Sequence, residues 1–151
     1  MSGAGKGGLA AAQDMAQRKV DDAVAALAAA EAAAKTERAR VTQLESYRED
    51  YLTGLRSTTL VTASQLASRH GFLSKLHVAI DGQRNALGEF EARVLRARKD
   101  LAEAERFRKA IETLLSRREA EASKKAARVE QKLLDEYAAR SARRLREAGA
   151  A

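Results

Sequence analysis

The glycines and lysine of Met1-Ser-Gly-Ala-Gly-Lys-Gly-Gly are the residue types that cradle a phosphate. A working phosphate loop, however, places four residues between its first glycine and Gly-Lys, follows the lysine with Ser or Thr, and leaves a strand. None of these conditions holds, so residues 1–8 read as a flexible N-terminal tail. His70 and His77 are the side chains best suited to a metal. Two helical ligands share one ion when three or four residues apart; a spacing of seven makes these rim histidines, and no metal is expected. Carboxylates are plentiful but scattered, with Glu45 and Glu49 close to Arg48 and Glu103 close to Arg108. That is the pattern of solvated helix faces carrying local ion pairs. Nowhere do a nucleophile, a base and an oxyanion-stabilising group come together. The chain is expected to be no enzyme, with no catalytic residue, no cofactor and no small-molecule substrate.

Side chains that do not react must act by contact, and the elements that place them are legible as heptads, lettered a to g, in which a and d are apolar. From Leu9, alternate steps of four and three reach Ala16, Val20, Ala23, Leu27, Ala30, Ala34, Val41, Leu44, Tyr51 and Leu55; only Gln13, Glu37 and Arg48 break the rule. A second phase from Leu66 reaches Leu73, Leu76, Ile80, Leu87, Phe90, Val94, Ala97, Leu101, Ala104, Ile111 and Leu115, broken by Arg69, Gln83 and Arg108. Between the two seams, Ser57-Thr-Thr-Leu-Val-Thr62 is β-branched, hydroxyl-rich and a poor helix former. Thr62 and Gln65 have the spacing of a capping box, and Val61 and Leu66 that of a hydrophobic staple. The spacing therefore predicts an all-α fold, an antiparallel two-helix coiled-coil hairpin with a longer second helix. Helix one covers about 9–56, the turn about 57–62 and helix two about 63–148, a single domain over 9–148. Gly71, Gly82 and Gly88 cost up to ~1 kcal/mol each against Ala, but they fall at f, c and b, away from the seam.

The turn sets the register: Leu55 opposite Leu66, Leu44 near Leu76, Val41 near Ile80, and Leu9 near Ile111 or Leu115. Helix one ends where the second seam does, because steps beyond Leu115 meet Arg118, Lys125, Lys132 and Glu136. Residues from about Ser116 to Glu147 are thus expected to be an unpartnered helical extension. Val129, Leu133 and Tyr137 give it a short apolar stripe at steps of four, and a solitary helix gains little from packing in water. Small knobs at Ala16, Ala23, Ala30 and Ala34 bury little area, so the terminal half of the hairpin should be thin.

Near the turn, Tyr51 falls at d while Tyr47, Phe72 and Ala79 fall at g. In an antiparallel pair g faces g, which makes Tyr47 and Phe72 neighbours flanked by Leu44 and Leu76. Such a pair is either local packing or an exposed docking patch. The basic end, Arg140, Arg143, Arg144 and Arg146, suits an acidic protein surface, nucleic acid or plain solvation. It lacks the aromatic interleaving of a nucleic-acid patch.

Composition agrees with a contact protein built of helix. Pro and Trp are absent, Phe and Tyr number 3 each, and 32% of residues are charged. Large aromatic anchors for a globular core are scarce, and the rest is the residue set of long helices. A net charge of +7 favours acidic partners without choosing among them. No cysteine is present, which fits a reducing compartment. The start lacks the apolar region of a signal peptide, and no apolar run approaches the roughly 20 residues that span a bilayer. A cytoplasmic protein is expected.

Four stretches carry a family resemblance: Leu44-Glu-Ser-Tyr47-Arg-Glu-Asp-Tyr51-Leu-Thr-Gly-Leu55, the start from Leu9 to Ala23, Phe72-x3-Leu76-x2-Ala79-Ile80, and Gln131-Lys-Leu-Leu-Asp135-Glu136-Tyr137-Ala-Ala-Arg140. In order, length and turn position the chain resembles the FliJ family, small coiled-coil proteins of the bacterial flagellar type III export apparatus. It departs from the family in lacking tryptophan and in its many alanines. The resemblance implies a stalk-like hairpin similar to the rotor stalk of rotary ATPases. It implies three partners: the hexameric flagellar export ATPase, the export gate membrane protein and export chaperones. The gate-binding surface would comprise Leu44, Tyr47, Tyr51, Phe72, Leu76 and Ala79, while Gln83 stands where relatives can carry a histidine. The end bearing both termini would enter the ATPase, with Val129, Leu133, Tyr137, Arg140, Arg143 and Arg144 as its contacts. The protein would sit in the cytoplasm, peripherally at the inner membrane of the flagellar base. A stalk of a virulence-type secretion system and a basic nucleic-acid-associated coiled coil are the alternative readings.

Overall fold

A computed structural model describes residues 3–57 and 60–149, with side chains from Gly7 onward. Two helices make up the fold, α1 over Gly3–Arg56 and α2 over Ala63–Gly149. No strand occurs among the described residues. The expected tail is therefore helical backbone from Gly3, and only Met1 and Ser2 lie outside the description. With no proline to stop it, the helix continues through glycines that merely weaken it.

The junction is built as its side chains dictate. Ser57 N–H donates to Thr53 O (3.3 Å) and its Oγ to Gly54 O (2.8 Å), closing the last turn of α1. At the start of α2, Thr62 N–H donates to Gln65 Oε1 and Gln65 N–H to Thr62 Oγ1, each at 3.2 Å. That is a complete capping box, two orphan donors satisfied reciprocally. Val61 and Leu66, which have the spacing of the accompanying staple, are both exposed. Thr58 and Thr59, inside the expected turn, lie outside the described residues.

The chain resolves into two compact units, Ala16–Arg106 and Met1–Met15 with Phe107–Ala151. Within Ala16–Arg106, α1 and α2 run antiparallel. Ala16, Val20, Ala34 and Val41 on α1 are buried, as are Leu76, Ile80 and Val94 on α2. All seven are seam positions. The remaining seam residues of this unit are at least half-buried except Leu66, expected opposite Leu55, which is exposed beside the turn. Ile80, at 1% exposure, is the best-covered large side chain.

Two seam exceptions meet one another. Gln83 Nε2 donates to Glu37 Oε2, while Arg40 Nη1 reaches Glu37 Oε1 at 2.6 Å. Glu37 is only 7% exposed, so both its oxygens are satisfied inside the pair. Beside the seam, Glu31 pairs with Arg98 at 3.6 Å, Arg38 with Glu91 at 3.2 Å and Glu45 with Arg84 at 2.5 Å. All six residues occupy e positions, which face each other in an antiparallel pair. The expectation that Glu45 belongs to a solvated face beside Arg48 is corrected here: its carboxylate crosses to the other helix. The signal was present as charges of alternating sign at intervals of one heptad.

In the other unit, the early turns of α1 lie beside α2. Leu9, Ala10 and Gln13 line one open groove with Leu115, Arg118, Glu119 and Ala122. Leu9, Ile111 and Leu115 are half-buried. The seam break at Arg108 is also half-buried, its Nε 3.6 Å from Glu112 Oε1.

Candidate functional site

Two surfaces offer contacts. The first grows out of the g edge near the turn. Tyr47 on α1 and Phe72 on α2 meet edge to face, ring centroids 6.2 Å apart at 71°. Tyr51, one turn further along α1, lies tilted against the same Phe72 at 4.7 Å and 48°. Three rings from two helices thus form one cluster, with geometry of the kind aromatic quadrupoles favour. Beneath it Leu76 is buried and Leu44 half-buried, while Ala79 is exposed beside it. Tyr47 nevertheless keeps 53% of its surface open and Phe72 37%. The cluster is therefore both packed internally and presented to solvent. From Tyr47 a shallow groove continues along α1 past Ser46, Thr42 and Arg38. Gln83 turns inward to Glu37.

The second surface is the far part of α2. Every described residue from Ser116 to Gly149 is exposed except Ser141. Val129, Leu133 and Tyr137 lie open at 54%, 61% and 71%. Ala122 and Ala126 join Val129 and Leu133 along one shallow groove, flanked by Lys125 and Glu130. These two alanines extend the stripe toward Leu115. Their steps of three and four ahead of Val129 were visible in the sequence, but alanine is common enough in this chain to hide them. Arg140, Arg143 and Arg144 follow, all exposed. A local bond from Gln131 Nε2 to Asp135 Oδ1 at 3.0 Å braces the helix between.

His70 and His77 are exposed. Among the described residues no cluster of three or more His, Asp or Glu side chains could hold a metal ion, and no helix is long and apolar enough to cross a membrane. The two surfaces have the chemistry of docking: aromatic and apolar side chains at the centre, arginines at the margin. The family model described as Flagellar FliJ protein matches residues 6–147. Neither a curated protein nor a solved structure matches the chain. A helical hairpin matched over nearly its whole length by that model belongs to the FliJ family of flagellar export coiled-coil proteins.

Proposed function

We propose that the chain is a non-enzymatic, stalk-like component of flagellar type III protein export that joins the hexameric export ATPase to the export gate membrane protein. The flagellar family match over residues 6–147 carries the reading, and favours it over a virulence-type stalk. The stripe Val129, Leu133 and Tyr137, with Arg140, Arg143 and Arg144, binds the ATPase. Leu44, Tyr47, Tyr51, Phe72, Leu76 and Ala79 bind the gate, and the same helices handle export chaperones. Work is done mechanically: binding at each end biases how the two partners engage, and no bond is made or broken on this chain. It acts in the cytoplasm, held peripherally at the inner membrane through its partners.

Support comes from what exposure implies. Large apolar side chains left open in groups mark interaction sites, and aromatics at the centre of such groups carry most of the binding energy. The test is a pull-down with the cognate ATPase and, separately, with the gate protein. Capture of both, with Tyr47→Ala affecting only the gate, supports the assignment. Failure to capture either partner at micromolar concentration sinks it.

A further inference from the structure

The hairpin's seam is poor at choosing its own register. Alanine knobs recur along α1 at seven-residue intervals, as at Ala16, Ala23 and Ala30, and a slip by one heptad sets alanine where alanine was. A slip of one heptad moves the centre of the turn by roughly three to four residues, so one helix gives up about one turn at its end while the other gains one. Yet the Tyr47–Phe72 contact at 6.2 Å exists in one register only. Something other than the apolar seam must select it.

Two features of Ala16–Arg106 do so. The first is the buried bond between Glu37 and Gln83, with Arg40 on the second carboxylate oxygen. A slip leaves Glu37 facing apolar seam residues with its carboxylate inside the pair, and a buried unpartnered charge is costly. A single polar position of this kind is known to specify coiled-coil register at some cost in stability. The second is the sign pattern of the e edge. Glu31, Arg38 and Glu45 face Arg98, Glu91 and Arg84. Shifted by one heptad in one direction, Glu31 meets Glu105, Arg38 meets Arg98 and Glu45 meets Glu91. Shifted in the other, Glu31 meets Glu91 and Arg38 meets Arg84. Like charges oppose each other either way, whereas the pairs in the observed register are all opposite. Alternation matters here more than the strength of any single exposed pair, which is small.

We propose that Glu37, Gln83 and the alternating e-edge charges are positioning residues that hold the one register in which Tyr47, Tyr51 and Phe72 form the docking cluster. The link to docking rests on the gate-binding reading given above; the register claim does not.

The chain has no cysteine, so spin labels can be placed at introduced cysteines on the full-length protein, at Ser46 and Lys99. Both positions are exposed and well separated along the helix axis. A slip of one heptad changes their distance by about 10 Å, from seven residues at 1.5 Å each. Two variants are compared. The first, Glu37→Leu with Gln83→Leu, removes the lock and leaves the alternation. The second adds Arg38→Glu and Arg84→Glu to the first. 

In the second variant the observed register and one slipped register each hold one opposite pair and two like pairs. A control in the same lock-free background, Arg38→Glu with Glu91→Arg, keeps all three opposite pairs in the observed register but creates opposite pairs in a slipped one as well. The lock-free chain alone is expected to keep one distance and to melt no lower than the unmodified chain, because apolar replacements of a buried polar pair are often neutral or stabilising. The second variant is expected to show a second distance about 10 Å away, whereas the control, whose opposite pairs still favour the observed register, is expected to keep mainly the first. With half of the molecules slipped, apparent affinity for the gate protein falls about twofold. A single unchanged distance in the second variant overturns the proposal, since neither the lock nor the charge pattern favours the observed register there. Two distances with unchanged gate affinity leave the register claim standing and contradict the docking assignment instead.

Discussion

Val41, Leu76 and Ile80 in the hairpin differ little in apolar character from Val129, Leu133 and Tyr137 near the end of α2, yet their surroundings are opposite. The first three are buried, Ile80 to 1% exposure, whereas Leu133 remains 61% exposed. Helix periodicity is satisfied in both regions, so periodicity alone does not decide burial. What differs is the presence of a facing seam: α1 supplies one for Ala16–Arg106, whereas among the described residues Val129, Leu133 and Tyr137 have none. Large apolar side chains left exposed in a group are the kind of surface that marks interaction sites, and the two regions should respond differently to the same kind of damage.

The largest contrast is in stability. Ile80→Ala should lower the unfolding free energy by about 2–5 kcal/mol through lost burial and the cavity left behind, measured by thermal or denaturant melting. Leu133→Ala should stay within about 0.5 kcal/mol of the unmodified chain, being a surface change to a better helix former. Its effect should appear instead as weakened ATPase binding. Equal losses of stability at the two positions would erase the distinction between seam and extension.

Next in size are the aromatics, where the contrast lies between docking and packing. Tyr47→Ala and Phe72→Ala should each weaken gate binding by about 2 kcal/mol or more if the cluster is a hot spot. Phe72 touches both tyrosine rings, so its loss should lower the melting temperature more than loss of Tyr47. A variant that melts early yet binds the gate normally would identify the cluster as core alone.

Much of this was legible in the sequence, and the failures have physical causes. Steps of four and three named the buried residues, because a seam between two helices demands little beyond apolar side chains at that spacing. Thr62 and Gln65 marked the start of α2 because a capping box is a local device, complete within four residues. Periodicity put Leu66 on the seam but says nothing of how far the facing helix covers it, and Leu66 stays exposed beside the turn. Glu45 was misread because i, i+4 neighbours are visible along one chain, while a partner on the other helix appears only once register is known. Glu37 and Gln83 looked like two separate breaks in two seams; their meaning lies in meeting each other. The aromatic cluster was placed correctly by the g positions, but exposure of its rings is a property of the assembled surface.

Smaller effects sharpen the comparison at its local features. Thr62→Ala removes the reciprocal cap and should cost about 1 kcal/mol, with helix content otherwise preserved by circular dichroism. Arg84→Gln breaks the 2.5 Å pair with Glu45, but both partners are partly exposed and the loss should stay below about 1 kcal/mol. That loss should shrink further as salt is raised; a larger, salt-independent loss would show the pair to be shielded from solvent.

The most direct measurement follows hydrolysis by the cognate export ATPase in the presence of the full chain, of the chain ending at Leu115, and of Tyr47→Ala. If the uncovered part of α2 is the ATPase contact, the full chain and Tyr47→Ala stimulate alike, while the shortened chain loses stimulation yet keeps the hairpin's melting transition. Undiminished stimulation by the shortened chain, with that transition intact, would contradict the assignment of Val129, Leu133 and Tyr137 to the ATPase.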